Sequence, residues 1–223
     1  MTDFVFIRHG ETDWNRQQRF QGQIDVPLNA LGREQAARLA QRMRAERFDQ
    51  LICSDLLRTR ETAAPTAGVH AVAPVLNAGL REQAFGVLEG LAVPSIQAQH
   101  PELWAQWLKH DADYGLPQGG ESVRRFHARV LGCVRELARE HGARRLVVVT
   151  HGGVLDMLWR TAHGFDLSGP RDCVIPNTGI NTLRWQRGTL DIVQWADAAH
   201  LDGLPEQPPT APAHATLQAT AAA

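Results

Sequence analysis

The chain has 223 residues, 43% of them hydrophobic, and carries 23 Lys+Arg against 24 Asp+Glu for a net charge of −1. That length and apolar content suit one domain with room for an inserted lid, and the balanced charge excludes a general affinity for nucleic acid or for an anionic membrane. Any anion site must be local. Lys109 is the only lysine, so positive charge is almost all arginine, whose planar fork matches phosphate. Cys53, Cys133 and Cys173 are odd in number, far apart and without a CxxC pair, which fits small buried thiols in a reducing cytoplasm better than a disulfide framework or a zinc site. The sequence enters an apolar run at once, so no signal peptide is expected, and no stretch approaches the roughly 20 apolar residues of a membrane span.

Phe4 to Ile7 is short, apolar and rich in β-branched and aromatic residues, the pattern of a buried strand. It stops at Arg8-His9-Gly10. In open α/β sheets ligands bind beside the carboxyl ends of strands, so a cation and an imidazole delivered there mark a candidate site, and Gly10 permits a tight turn. Taken alone, the trio suits a strand running out into solvent equally well. Residues 11–30 read as a loop holding Asn15, Gln21-Gly22 and Pro27. Asn29 then caps a helix from Leu31 to about Glu46, with Gln35/Ala36, Leu39, Ala40 and Met43 on its apolar face.

Gln50 to Cys53 is a second buried strand, and it too ends in polar groups, Ser54-Asp55 and then Arg58 at the start of a second helix. Ala71 to Leu76 is a third strand leading into Arg81-Glu82. Residues 83–120 change character, with Pro94, Pro101, Pro117, Phe85, Trp104, Trp107 and Tyr114, and are expected to form an inserted lid with short helices near 94–110. Ser122 caps a long helix to about His141. Leu146 to Val149 is the most strand-like run, ending at Thr150-His151-Gly152 before a helix over about 153–163. Asn181 to Gln186 and Leu190 to Trp195 form a hairpin around Arg187-Gly188-Thr189. From about 197 onward, Ala and Pro dominate and a disordered tail is expected. No internal repeat is visible. Strands alternating with helices predict a three-layer α/β/α sandwich with a mainly parallel sheet, as one domain over 1–196.

If the strand ends converge, Arg8, Arg58, His9 and His151 form a cationic cluster that is costly to assemble unless it meets an anion. Two guanidinium forks can hold a phosphate, while one neutral imidazole acts as nucleophile and the other stabilises charge on the phosphoryl oxygens. Glu82 follows the third strand and can protonate a leaving alkoxide and later deprotonate water. Glu89 lies seven positions on but lacks that strand context. The chain has neither the clustered carboxylates of a magnesium site nor the His/Cys spacing of a zinc site, so neither metal nor cofactor is expected. The lid tryptophans read as packing, and the histidines outside the cluster as surface or helix-face residues.

Arg8-His9-Gly10-Glu11-Thr12, Asn15, Gln21-Gly22, Ser54-Asp55-Leu56-Leu57-Arg58, Glu82, Gly119-Gly120-Glu121-Ser122 and Thr150-His151-Gly152 occur in an order that resembles the histidine phosphatase superfamily, in its phosphoglycerate mutase-like branch. The resemblance spans residues 3 to 195. It implies a six-stranded sheet with one antiparallel strand, His9 as the phosphorylated nucleophile, Arg8, Arg58 and His151 as the phosphate pocket, and Glu82 as the proton donor. It also implies Asn15 as a further phosphate contact and backbone N–H groups offered by Gly22 and Gly152, with Gln21 beside Gly22 as a further substrate-binding candidate; Phe85 lies close enough in sequence to Glu82 to line the pocket. Mutases of the family carry a tyrosine three residues after the acid and a lysine and paired arginines along the lid; here Phe85 takes the tyrosine position, Lys109 is the lid's only permanent cation, and Arg124-Arg125 fall on the long helix. The expected function is hydrolysis of small phosphorylated metabolites, by a monomer or homodimer. The alternatives are a phosphoglycerate mutase and a non-catalytic phospholigand-binding module, against which the nucleophile and acid together argue.

Overall fold

The computed structural model describes residues 1–207. In chain order its main elements are β1 (Thr2–Arg8), α1 (Asp13–Arg16), α2 (Ala30–Met43), β2 (Gln50–Cys53), α3 (Leu57–His70), β3 (Val75–Leu76), α4 (Val93–Gln99), α5 (Pro101–Trp107), α6 (Val123–Glu140), β4 (Arg145–Thr150), α7 (Gly152–His163), β5 (Ile180–Gln186) and β6 (Thr189–Asp197). Successive side chains of β1 point to opposite faces of the sheet. Phe4 and Phe6 enter one core with Leu146, Val148 and Leu183, while Val5 and Ile7 enter another with Val147 and Val149. None of these four β1 side chains is more than 1% exposed, and burial contributes about 1.5–3 kcal/mol for each.

Helices close both faces. Phe126, Val130 and Val134 of α6 with Val154, Leu155 and Leu158 of α7 fill the first core; Leu39 and Met43 of α2 with Ala63 and Ala67 of α3 fill the second. The strand order is β3-β2-β4-β1-β5-β6, with β1 parallel to β4, β4 to β2 and β2 to β3. Strand β5 runs antiparallel to both β1 and β6 and is the one reversed strand. The three-layer sandwich with a mainly parallel six-stranded sheet is therefore as expected. So are two helix caps, with Asn29 Oδ1 accepting from Gly32 N at 2.8 Å and Ser122 Oγ from Arg125 N at 3.3 Å.

Local differences have local causes. The third strand shrinks from Ala71–Leu76 to Val75–Leu76 because Ala71 adopts a left-handed conformation, φ 52°, that ends α3 and leaves the chain to turn before pairing at the sheet edge. The loop after β1 contains α1, nucleated by a capping box in which Thr12 Oγ accepts from Asn15 N at 3.2 Å and Asn15 Oδ1 from Thr12 N at 3.0 Å. The expected tail begins too early. Residues 197–207 pack onto the body: Ala199–Leu201 forms a 3-10 turn, Arg38 Nη1 donates to Asp202 O at 2.8 Å, and Asn177 N donates to Gln207 Oε1 at 2.6 Å. The rest of the tail, 208–223, lies outside the described residues.

The segment expected as a lid has its own small core of Leu88, Val93, Ile96, Trp104 and Leu116, to which Phe20 is added from the loop after β1. Backbone bonds from Phe20 N to Leu91 O, 3.0 Å, and from Gly90 N to Phe20 O, 2.8 Å, tie the two together. Among the described residues no helix is long and apolar enough to cross a membrane. All three cysteines are buried and free, and burial pushes their thiols up to about 11 at Cys53 and Cys133 and about 12 at Cys173.

Candidate active site

The parallel registers bring three strand ends together. Arg8 lies opposite Thr150, Ser54 N donates to Val149 O at 3.0 Å, and the rings of His9 and His151 stand 5.4 Å apart. The turn after β1 is fixed on several sides: Gly10 N donates to Thr62 Oγ1 at 2.8 Å, Asn177 Nδ2 to His9 O at 2.9 Å, and Thr178 N to Arg8 O at 3.0 Å. A Cβ on Gly10 would stand 2.6 Å from Gly32 O, so only glycine lets this turn pack on α2.

His9 Nδ1 lies 2.7 Å from Gly10 O. A carbonyl only accepts, so Nδ1 carries the hydrogen and the neutral ring keeps its lone pair on Nε2. Burial, with the Arg58 and Arg8 guanidiniums beside it, holds His9 well below the usual imidazole range. Burial, Arg58 and His9 do the same to His151. His151 Nε2 pairs with Ser54 Oγ at 2.9 Å, and its Nδ1 is buried without a partner.

Arg8 and Arg58 are 6% and 1% exposed. Arg8 Nη1 donates to Ile175 O at 2.7 Å, and Arg58 donates to Ile24 O at 3.0 Å and Gly22 O at 2.8 Å; the Nε of each has no partner. A buried N–H left unpaired costs about 1–3 kcal/mol. Burial pushes both guanidiniums down to about 10, which leaves them charged at neutral pH. Arg8 Nε, Arg58 Nε and His151 Nδ1 are thus three idle polar atoms in one cationic cluster.

Glu82 enters beside the start of α7. Its Oε2 accepts from Gly153 N at 3.0 Å and its Oε1 from Gln83 N at 2.9 Å. Behind it, Arg129 of α6 donates to the carbonyls of Gly79, Arg81 and Glu82 at 3.0, 2.9 and 3.1 Å and is itself held by Glu121, Nε to Oε1 at 2.8 Å and Nη2 to Oε2 at 2.7 Å. Glu89 is placed differently: its Oε1 accepts from Gln23 N and Phe85 N at 3.1 and 2.9 Å, and it does not line the cavity.

A cavity of about 170 Å³ opens over Arg8, His9, Arg58 and Glu82, and Asn15, Gln21, Gly22, Phe85 and Gly152 all line it. Asn15 Oδ1 is occupied by Thr12, and Gly22 O by Arg58. Gly22 sits at φ 51°, where a Cβ would strike Glu89 Oε1 at 2.0 Å. Phe85, Phe20 and Trp107 meet edge to face at 5.0, 5.5 and 5.6 Å, so the outer wall is aromatic. His151 does not reach the cavity wall and meets it through His9. Among the described residues no group of three or more His, Cys, Asp or Glu side chains is placed to hold a metal ion.

Several wall residues carry no pattern that singled them out. Trp107, at the end of α5, packs against the lid core as expected and also lines the cavity, and His110, read as a surface or helix-face group, lines it from the turn that follows. Trp14 and Arg19 come from the loop after β1, and Asp156, Arg160 and Arg171 from α7 and the loop that follows it. Asp156 and Arg160, four apart in the largely apolar stretch of α7 from Val154 to Arg160, are the signal that could have marked them.

Residues 4–198 match the family model of the histidine phosphatase superfamily (branch 1). The chain belongs to that superfamily. This histidine phosphatase is 35% identical over 203 residues to phosphoglycerate mutase-like protein 4 of Arabidopsis thaliana, covering 90% of this chain and 87% of the relative. It is 33% identical over 208 residues to a metal-independent phosphoserine phosphatase of Arabidopsis thaliana, covering 92% and 85%. A phosphoserine phosphatase variant from Entamoeba histolytica, solved with phosphoserine, superposes with a TM-score of 0.80 at 25% identity over 90% of this chain and 100% of that one.

Proposed function

We propose that this chain is a metal-independent phosphomonoester hydrolase that works through a phosphohistidine on His9 and acts on small phosphorylated metabolites. The observation that carries the reading is two idle buried donors on residues of the cavity wall, Arg8 Nε and Arg58 Nε, with a third idle atom, His151 Nδ1, on the ring behind His9, whose own Nε2 lone pair is free. A phosphoryl group supplies the acceptors they lack. In the first step Nε2 forms a bond to phosphorus as the ester P–O bond breaks, and the Glu82 carboxylic acid gives its proton to the departing oxygen. In the second, the Glu82 carboxylate takes a proton from water, the water oxygen attacks phosphorus, and the P–N bond breaks to restore neutral His9. Preorganised donors of this kind are worth about 3–4 kcal/mol each in the transition state.

The 83–120 segment acts as the lid, with Phe85 and Trp107 against the leaving group. A mutase reading is weaker, although one relative bears a mutase-like name. Phe85 offers no hydroxyl, Lys109 Nζ donates to Gln106 Oε1 at 2.8 Å at the surface, and Arg124 is paired with Asp113 outside the cavity wall. The free thiols favour a reducing compartment such as the cytoplasm. The test is phosphate release from a panel of metabolite esters without added metal, with the His9→Ala variant as control. Loss of release and of an acid-labile phosphoryl-enzyme in that variant is expected; undiminished turnover would overturn the assignment.

A further inference from the structure

The two peptide groups that flank the His9 Cα are bonded at all four of their polar atoms. His9 N donates to Thr150 O at 2.8 Å and Gly10 N to Thr62 Oγ1 at 2.8 Å, so β4 and α3 hold the two N–H groups. The two carbonyls are held elsewhere. Arg8 O accepts from Thr178 N at 3.0 Å and His9 O from Asn177 Nδ2 at 2.9 Å. Asn177 and Thr178 belong to no helix or strand; they are the middle of a turn closed by Gly179 N donating to Pro176 O at 3.0 Å.

That turn is strained. Thr178 is fully buried at φ 55°, a left-handed conformation that turns normally give to glycine or asparagine and that a β-branched side chain resists. Such strain persists only where the surroundings over-determine it, and it gathers at sites of function. Here the surroundings are the C-terminal segment. Gln207 grips the Asn177 backbone on both sides, its Oε1 accepting from Asn177 N at 2.6 Å and its Nε2 donating to Asn177 O at 3.3 Å. Thr178 Oγ1 lies 3.2 Å from His200 Nε2, a contact that glycine could not make. Between these two ties, Arg38 of α2 anchors the segment by donating to Asp202 O at 2.8 Å. One line of bonds thus runs from Gln207 through Asn177 to the His9 carbonyl, and a second from His200 through Thr178 to the Arg8 carbonyl.

We propose that residues 198–207 are a strap that holds the nucleophile in line for attack, with Gln207, His200 and Asn177 as positioning residues acting through the His9 and Arg8 carbonyls. The proposal rests on the phosphatase reading, in which the His9 Nε2 lone pair must be aimed at phosphorus. If the carbonyls are released, the Cα of His9 shifts and its ring swings with it. A misplacement of about 1 Å at a reacting atom can cost about 10²-fold in rate.

The experiment is single-turnover reaction of the full chain with p-nitrophenyl phosphate, whose leaving group needs no proton from Glu82, so that the rate of phosphoryl-enzyme formation isolates the nucleophile. Q207A truncates a half-buried side chain outside both cores of the sheet. It is expected to slow phosphoryl-enzyme formation by about tenfold or more, while calorimetric affinity for inorganic phosphate changes by less than about threefold. Q207E, which keeps the acceptor for Asn177 N, recovers part of the loss, and H200A slows the same step. N177A removes the bond to His9 O itself and should cost about 10²-fold. An unchanged rate in both Q207A and H200A overturns the proposal. So does a loss of rate matched by an equal loss of phosphate affinity, which would mark the segment as a support for the fold and not for the nucleophile. If the unmodified chain transfers no phosphoryl group, the phosphatase reading fails and amide hydrogen exchange decides whether the strap exists. Exchange at His9 and Gly10 that is about tenfold faster in Q207A keeps it, and unchanged exchange removes it.

Discussion

Gly153 and Glu82 fit each other closely: Gly153 N donates to Glu82 Oε2 at 3.0 Å, and a Cβ on Gly153 would stand 2.0 Å from Glu82 Oε1. The glycine is the floor on which the carboxylate rests. Gly153→Ala must push that carboxylate aside, which a flexible side chain allows, and must also displace the buried Phe126 ring, whose Cε1 would stand 3.1 Å from the new Cβ, by a few tenths of an ångström. Stability is expected to fall by about 1 kcal/mol while kcat falls about 10²-fold, since small misplacement of a reacting group has large effects. Thermal unfolding alongside steady-state kinetics checks this; unaltered kcat would remove Glu82 from the chemistry.

Glu82 and Glu89 are separated by their partners, and leaving-group dependence should separate them by function. Glu82→Gln is expected to lower kcat/KM, which reports formation of the phosphoryl-enzyme, by about 10²–10⁴-fold on alkyl phosphates and far less on p-nitrophenyl phosphate, whose phenolate leaves without a proton. Glu89→Gln, which weakens the carboxylate that accepts from Gln23 N and Phe85 N, should affect both substrates alike. A similar contrast between substrates in Glu89→Gln would exchange the two assignments.

Ser54 sets what His151 can donate. A neutral His151 offers an N–H from its idle Nδ1 only if Nε2 accepts the Ser54 hydroxyl proton across their 2.9 Å contact. Ser54→Ala should lower kcat/KM by about 10-fold or more, while Ser54→Thr retains most activity. Nitrogen NMR of the imidazole reads the tautomer directly; a neutral His151 ring with its hydrogen on Nε2 rather than Nδ1 in the unmodified protein would contradict the role.

Because burial and neighbouring cations keep His9 and His151 neutral, acid should destabilise the empty protein. In the unfolded chain both rings take up protons as pH falls through about 6.5, and in the folded chain they do not. The unfolded state therefore binds more protons, and stability declines below about pH 6.5 until the lowered folded values are reached. Inorganic phosphate opposes this by favouring the protonated rings. Urea midpoints are expected to drop between about pH 7 and 5.5 without phosphate and to drop less with it. Equal slopes in the two conditions would count against phosphate binding between these histidines.

The Arg129–Glu121 clamp behind Glu82 supports both stability and catalysis. Burial opposes ionisation of Glu121, but the Arg129 bonds and the Ala84 N–H outweigh it and lower its pKa. Its contribution is present above the unfolded value of about 4.3 and is lost as pH falls through the lower folded value. At neutral pH Glu121→Gln should destabilise the chain by about 2–3 kcal/mol and lower kcat as the carbonyls of 79–82 loosen. Denaturant titration and kinetics report the two effects, and a change in neither would show the clamp to be idle.

Periodicity and strand-end chemistry carried much of this protein. The alternation of Phe4, Val5, Phe6 and Ile7 between two cores, the caps at Asn29 and Ser122, and the appearance of Arg8, His9, Arg58 and His151 at strand ends or helix beginnings are local patterns, and local patterns are written in adjacent residues. The wall of the cavity is not. Trp107, His110 and Arg171 reach it because a turn, a lid and a loop stapled by Arg160 fold back from distant parts of the chain, and Glu82 is held by Gly153 across 71 positions of sequence. Spacing along the chain encodes which face a side chain takes; only long-range packing decides which faces meet, and so which charge is left without a partner.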